Sequence, residues 1–412
     1  MAQAIESAAR RHGAVPEVVG ALRAVVAPSL AAARSADEEP LARPQDRAAL
    51  ADKLSGRVQL DALKLKQYVE EQGSKLKLSL PVYRQIASAL NAGKHVILIG
   101  PPGTGKTSLA HDICRYAEEL KCAAGFIPTT ATADWTAFDT IGGYVPTAQQ
   151  VLQFRPGIFL QAICSGSWLV IDEINRAEID KAFGELFTVL SGQRADLPYT
   201  VGRNQVRVLP AATGADPAKW VPQNGNGLSG YDYVMHPTWR ILATMNVYDK
   251  SSLFAMSFAF MRRFAFVDVD LPDDAAFNAL IERWSASSKL KVGKHDIKEM
   301  REKLRRMLQT NSPLRCRALG PAIVKDMIQY IGDRLQFEQE AKPLELLGEA
   351  FLLYVTPQLD GLDRATITAV YTHLQEQVFG ETEVITSLQS RIRSLYPHIV
   401  SSEWESGTTN IV

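Results

Sequence analysis

The chain of 412 residues predicts an α/β fold, a parallel sheet with helices on both faces, followed by a smaller helical domain. Three observations carry this expectation. Between residues 95 and 271, short and nearly continuous apolar runs alternate with amphipathic helical stretches, the pattern of strands buried on both faces. The first of these runs leads directly into Gly100-Pro101-Pro102-Gly103-Thr104-Gly105-Lys106-Thr107. After Leu271-Pro272 the strands stop, and amphipathic helices fill 273–380.

Taken in order, Val15, Val18, Val19, Leu22, Val25 and Val26 share one face of a helix that Pro28 closes. Ser35 to Asp46, polar and with two prolines, reads as a linker. Helices are then expected over 47–72 and from Pro81 to Ala92, so residues 1–77 form an N-terminal helical extension. The α/β unit is placed at 78–271, with strands at 95–100, 124–130, 168–172, 240–245 and 264–270. Between them fall helices at 105–120, near 158–165, 178–192 and 251–262. Residues 211–236, rich in Gly, Asn and Pro and without periodicity, read as a long loop, functional or disordered. A helical lid and further helices occupy 272–400, and 401–412 form a tail.

Composition narrows the function. Lys plus Arg and Asp plus Glu number 45 each, so no global field recruits nucleic acid or a membrane, and any such contact needs a local patch. Cys114, Cys122, Cys164 and Cys316 lack metal or disulfide spacing, which points to a reducing, cytoplasmic compartment. Glu17 and Arg23 interrupt the N-terminal apolar stretch, leaving no export signal, and no run is long enough to span a bilayer.

The loop at 100–107 fits G-x-x-x-x-G-K-[ST] in full, in the strand–loop–helix setting that phosphate binding requires. Its N–H groups turn inward on an anion, Lys106 supplies charge to the β/γ-phosphates and Thr107 offers a hydroxyl to Mg²⁺. The nucleotide contact set is therefore Gly100, Pro101, Pro102, Gly103, Thr104, Gly105, Lys106, Thr107 and Ser108. The apolar strand at 168–172 ends in Asp172-Glu173, where parallel sheets place their ligands: Asp172 to hold Mg²⁺, Glu173 to polarise the attacking water. Asn246, ending the strand at 240–245, can reach the γ-phosphate or that water. Arg262-Arg263 close an apolar helix, and a guanidinium there can offset charge on a transferred phosphoryl group in a neighbouring subunit.

Together these residues resemble the AAA+ ATPases, within them the dynein-related branch of MoxR-type chaperones and McrB-like NTPases, and in that branch the McrB-like NTPases most. The resemblance spans roughly 78–340. Its more specific marks are Asp172-Glu173-Ile174-Asn175-Arg176-Ala177 and Met245-Asn246-Val247-Tyr248-Asp249-Lys250-Ser251, with Lys250 where Arg is usual. Asp139-Thr140-Ile141-Gly142-Gly143-Tyr144 with Phe154-Arg155-Pro156-Gly157 looks like a first inserted β-hairpin, and 198–210 like a second. The resemblance implies an NTP phosphohydrolase using ATP, with GTP as the alternative, and Mg²⁺. It also implies a hexameric ring with a trans-acting arginine, and a lid arginine at Arg317 touching the γ-phosphate. Partners on this reading are a protein substrate or effector chain, with nucleic acid as the alternative and no membrane; Arg203 and Arg207 of the second hairpin, with Arg194 just before it and Tyr199 alongside, could grip an acidic peptide or a phosphate backbone. Three functions follow: a remodelling ATPase, the motor of a McrBC-like restriction complex with a separate nuclease, or a nucleotide-switched scaffold.

Overall fold

Five apolar runs separated by helices assemble into one sheet, all neighbours parallel, in the computed structural model. It describes residues 54, 57–146, 152–210, 232–246, 256–286, 297–317, 319–338, 340–380 and 382–395. Among the described residues two helices precede the sheet, α1 (Ala62–Glu71) and α2 (Leu80–Asn91). The Asp61 side chain caps α1 by accepting the Lys64 N–H at 2.9 Å. Then come β1 (His95–Gly100), α3 (Lys106–Glu119), β2 (Phe126–Thr130), α4 (Ala137–Thr140) and the strands β3 (Gly142–Pro146) and β4 (Leu152–Pro156). Next are α5 (Ile158–Ser165), β5 (Trp168–Asp172), α6 (Ile179–Phe183) and α7 (Leu186–Leu190). The unit is completed by β6 (Ala195–Val201), β7 (Asn204–Pro210), β8 (Asp232–Met235), β9 (Ile241–Asn246), α8 (Phe258–Met261) and β10 (Phe264–Asp268). Strand order is β10-β1-β9-β5-β2.

Strand alternation explains why both faces are covered. Val96 and Leu98 point into one core with Leu109, Ile113, Val170 and Leu242, whereas Ile97 joins Ile171, Ala243, Phe159 and Phe260 on the other side. The first of these cores also contains Val58, Leu60, Leu65 and Val69, so the boundary expected at 77/78 cuts through a packed layer. Asn91 fixes the entry by exchanging hydrogen bonds with Leu60 N–H and C=O at 2.8 and 2.9 Å. At the entry end of the sheet His95 and Arg240 are buried, the guanidinium donating to the carbonyls of Leu90, Pro237 and Trp239.

Four expectations about elements change. Of the helix read over 47–72, residues 57–60 are irregular and helix begins at Ala62, while 47–53, 55 and 56 lie outside the described residues. The helix at 178–192 is two short helices, because Gly184 adopts φ 37°, ψ −117°. The end of the presumed loop at 211–236 is a strand: β8 pairs in parallel with β7, held by Arg207 on the buried Asp232. The helix at 251–262 is described only from 256, and its regular part is Phe258–Met261. The N-terminal valine helix, the 211–231 segment, Lys250 and the tail lie outside the described residues.

Both inserted hairpins are present, as antiparallel β3–β4 and β6–β7. They clasp each other: the Tyr144 hydroxyl donates to Thr200 O (2.9 Å) and accepts the Thr200 N–H (2.7 Å), and Tyr199 packs on Phe154 with ring centroids 5.0 Å apart. Beyond the sheet, α9 (Asp274–Ser285), α10 (Ile297–Leu308), α11 (Pro321–Phe337), α12 (Pro343–Ala350), α13 (Arg364–His373) and α14 (Glu383–Leu395) gather around a separate apolar core. Among the described residues no helix is long and apolar enough to cross a membrane.

Candidate nucleotide site

Gly100, the Asp172-Glu173 pair and Asn246 meet because β1, β9 and β5 are adjacent and parallel, with Gly100 level with Asn246. The loop needs glycine at Gly100, where a Cβ would stand 2.2 Å from Val269 O, and at Gly105, where φ is +88°. Thr104 Oγ1 donates to Pro101 O at 3.0 Å and tightens the turn. Ser108 is exposed in the first turn of α3.

Lys106 is 6% exposed and folds back over the loop. Its ammonium donates to Gly100 O (2.9 Å), Pro101 O (2.7 Å) and Asn246 Oδ1 (3.0 Å). Burial pushes its pKa down, and the charges of Glu173 and Asp172 oppose that shift. The Asn246 amide hands the contact on, donating to Glu173 Oε1 at 2.5 Å. Glu173 sits in the left-handed region, φ 54°, ψ 45°, which swings the chain out of β5 and turns its carboxylate towards Asn246. A non-glycine residue held there costs about 1–3 kcal/mol, strain that clusters at functional sites. The other carboxylate oxygen lies 3.7 Å from Arg176 Nε.

Asp172 Oδ1 accepts from Thr107 Oγ1 at 2.8 Å and from Thr244 Oγ1. Thr244 also accepts the Glu173 N–H at 3.1 Å, so one hydroxyl orients both acids. Sequence reasoning missed Thr244, although it lies two residues before Asn246 and so shares its strand face. Thr107 and Asp172 together offer the hard oxygen donors that Mg²⁺ takes alongside substrate phosphates.

Three predicted residues stand elsewhere. Arg263 is 9% exposed; it donates to Ala259 O and Ser191 Oγ and lies over the Phe187 ring at 5.7 Å, so it holds its own fold together. Arg262 is exposed. Both belong to the entry end of the sheet, since Phe264 is level with His95 and the phosphate loop starts five residues further along β1. Arg317 donates to Asp360 O within the lid and is not drawn into the site. The lid instead meets the loop through backbone: the Ala322 N–H donates to Gly103 O at 3.2 Å, and a Cβ on Gly320 would stand 2.3 Å from Pro102 O. A strap missed by sequence reasoning crosses beside it. Ser74 N–H is held by buried Asp112 at 2.7 Å, Leu76 lies against Gly105, and Lys75 O accepts from Arg283 of α9 at 3.1 Å.

The second hairpin offers little free charge. Arg207 is bidentate on Asp232, with both contacts at 2.6 Å, and Arg194 is bidentate on Asp196 at 2.6 and 2.7 Å, leaving Arg203 exposed at the turn.

Residues 95–264 match the family of AAA domains of the dynein-related subfamily. Over 192 residues the chain is 24% identical to midasin of Dictyostelium discoideum, covering 45% of this chain and 3% of that protein. Over 143 residues it is 32% identical to midasin of Giardia intestinalis, covering 33% of this chain and 3% of that protein. The chain thus spans a small fraction of the length of these relatives.

Proposed function

Proceeding from a chain that carries a dynein-related AAA domain, the core of an AAA+ ATPase, we propose that it hydrolyses ATP with Mg²⁺ in a ring of its own copies, taken as a hexamer, and so remodels a partner protein. The observation that carries this reading is the continuous hydrogen-bonded path Lys106–Asn246–Glu173 beside Thr107–Asp172, at the carboxyl ends of three adjacent strands.

Each residue has a chemical task. Lys106 can exchange its carbonyl acceptors for phosphate oxygens; Thr107 and Asp172 would hold Mg²⁺, which would supply charge neutralisation to the phosphates. Glu173 takes the proton of the attacking water, which Asn246 orients. Arg262 serves the neighbouring subunit. Arg263 belongs to the mounting of its helix, and the lid's contact is made by Gly320–Ala322 in place of Arg317.

Within the AAA+ proteins the Asn175-Arg176-Ala177 run and Met245-Asn246 support the MoxR/McrB-like branch, as do the two hairpins. The pairing of Arg194 and Arg207 with carboxylates leaves the second hairpin little free positive charge for either a phosphate backbone or an acidic peptide. The intact acid pair speaks against a scaffold that only binds nucleotide.

Glu173→Gln tests the assignment. Turnover should fall at least about a hundredfold while nucleotide stays bound and the assembly persists. Parental turnover in that variant would remove Glu173 as the base. Stimulation of the parent by polynucleotide and not by protein would favour the restriction-motor reading.

A further inference from the structure

The strap beside the phosphate loop is fixed along its whole length. It leaves α1 through a cap: the Gly73 N–H donates to Tyr68 O at 2.9 Å and the Lys75 N–H to Val69 O at 2.8 Å. Ser74 N–H then donates at 2.7 Å to Asp112, a fully buried carboxylate of α3, the helix into which the loop opens. The fit there is tight. A Cβ on Gly73 would stand 2.6 Å from that carboxylate oxygen, although Gly73 is outside the left-handed region that favours glycine. Leu76 lies on the loop itself, 2.7 Å from where a Cβ on Gly105 would stand. Between these anchors Lys75, at φ 62°, leaves its carbonyl to accept from Arg283 at the end of α9. The Arg283 guanidinium also lies 5.9 Å over the ring of Trp284, which packs against the lid core.

Strap and lid flank the loop, the strap at Gly105 and the lid at Gly103, while the acids and Asn246 stand on its sheet side. Helices α9 and α11 share one apolar core, so the contacts close a circuit. It runs from Gly103 to Ala322, through the lid to Arg283 and Lys75, then by Ser74 to Asp112 and back along α3 to the loop. The joints are unequal. The Asp112 bond is buried and charge-assisted, and the Ala322 bond is backed by the close seat of Gly320 on Pro102. Arg283 to Lys75 is one hydrogen bond between exposed residues, where water competes. It is the joint that opens first.

We propose, resting on the nucleotide-binding reading above, that the Arg283–Lys75 tie is a gate. It bridges strap and lid across the mouth of the site and sets how fast nucleotide enters and leaves, not how tightly it is held. Asp112 is the positioning residue that keeps the strap within reach of the lid. The contacts of Arg283 are with a carbonyl and an indole ring, so its loss leaves the phosphate-binding groups in place. Passage only while the tie is open slows both directions alike. A side chain that held nucleotide directly would slow release alone.

The test mixes full-length chains with Mg²⁺ and a ribose-labelled fluorescent ADP in a stopped-flow instrument. Arg283→Ala should raise the association and release rate constants together, each about fivefold, for the loss of one exposed hydrogen bond. The dissociation constant should stay within about twofold of the parent, and the unfolding temperature without nucleotide should not move. Gly73→Ala, which lifts the strap off Asp112, should have the same paired effect. The double variant should gain no more than either single one, because both open the same tie. Asp112→Asn, which keeps an oxygen for the Ser74 N–H, should stay near the parental rates, and fast exchange there would remove Asp112 as the anchor. Faster release with unchanged association would make Arg283 a binding contact and overturn the gate. Parental rates in both single variants, or additive effects in the double one, would overturn it too, with nucleotide binding left standing. A parental chain that binds no labelled ADP would instead sink the nucleotide-binding reading, and the gate with it.

Discussion

Arg262 and Arg263 are neighbours in the chain with opposite surroundings, and their substitution should separate activity from stability. Arg263→Ala removes a cation held against Ala259 O, Ser191 and the Phe187 ring, and should lower unfolding free energy by about 1–3 kcal/mol in denaturant titration. Arg262→Ala should leave that free energy within about 0.5 kcal/mol of the parent. Two buried histidines predict a pH effect. Burial, then Arg240, pushes His95 down to about 3 and His236 likewise to about 3. The unfolded chain therefore binds more protons between that value and 6.5. Stability is complete above pH 6.5 and falls as acid is added, by up to about 1.4 kcal/mol per pH unit for each histidine. Urea midpoints between pH 7.5 and 5 should show that slope, and His95→Gln should flatten it. The phosphate loop, both acids and Asn246 were legible because each is a residue type at a fixed place beside a strand. Thr244 and the split between the arginines were not, since both depend on which neighbours a side chain meets across the fold.

Among the elements, the sheet strands were readable because apolar runs buried on both faces have no competing pattern. The breaks were harder. Gly184 looks like any helical glycine until its φ of 37° ends α6, and β8 is recognised only once Asp232 lies opposite Arg207. The lid was expected to bring Arg317 to the nucleotide, yet its contact with the loop is made at the start of α11, by the missing side chain of Gly320 and the N–H of Ala322. Gly320→Ala should therefore push the lid off Pro102 and Gly103. Nucleotide affinity, read by titration calorimetry, should weaken about tenfold or more, a shift of about 1.4 kcal/mol. Unchanged affinity would mean that the lid does not close through this backbone.

For the molecule as a whole, composition showed a chain with balanced charge and named no partner, because partner choice resides in surfaces that periodicity does not describe. The arrangement of surfaces makes a different statement. Cation and acid cluster lie at opposite ends of one sheet, so specific turnover should rise with chain concentration and then level off. A flat profile from dilute to concentrated chain would argue for a self-sufficient monomer. The Tyr144 clasp carries a final consequence. One hairpin precedes the acid strand and the other follows it, and alongside the Tyr199–Phe154 packing one phenol bonded to both the N–H and the C=O of Thr200 joins them. Tyr144→Phe should expose the Thr200 amide to rapid hydrogen exchange while nucleotide is still consumed. Turnover would then go on while the two hairpins are less tightly joined, as by a clutch that slips while the engine runs.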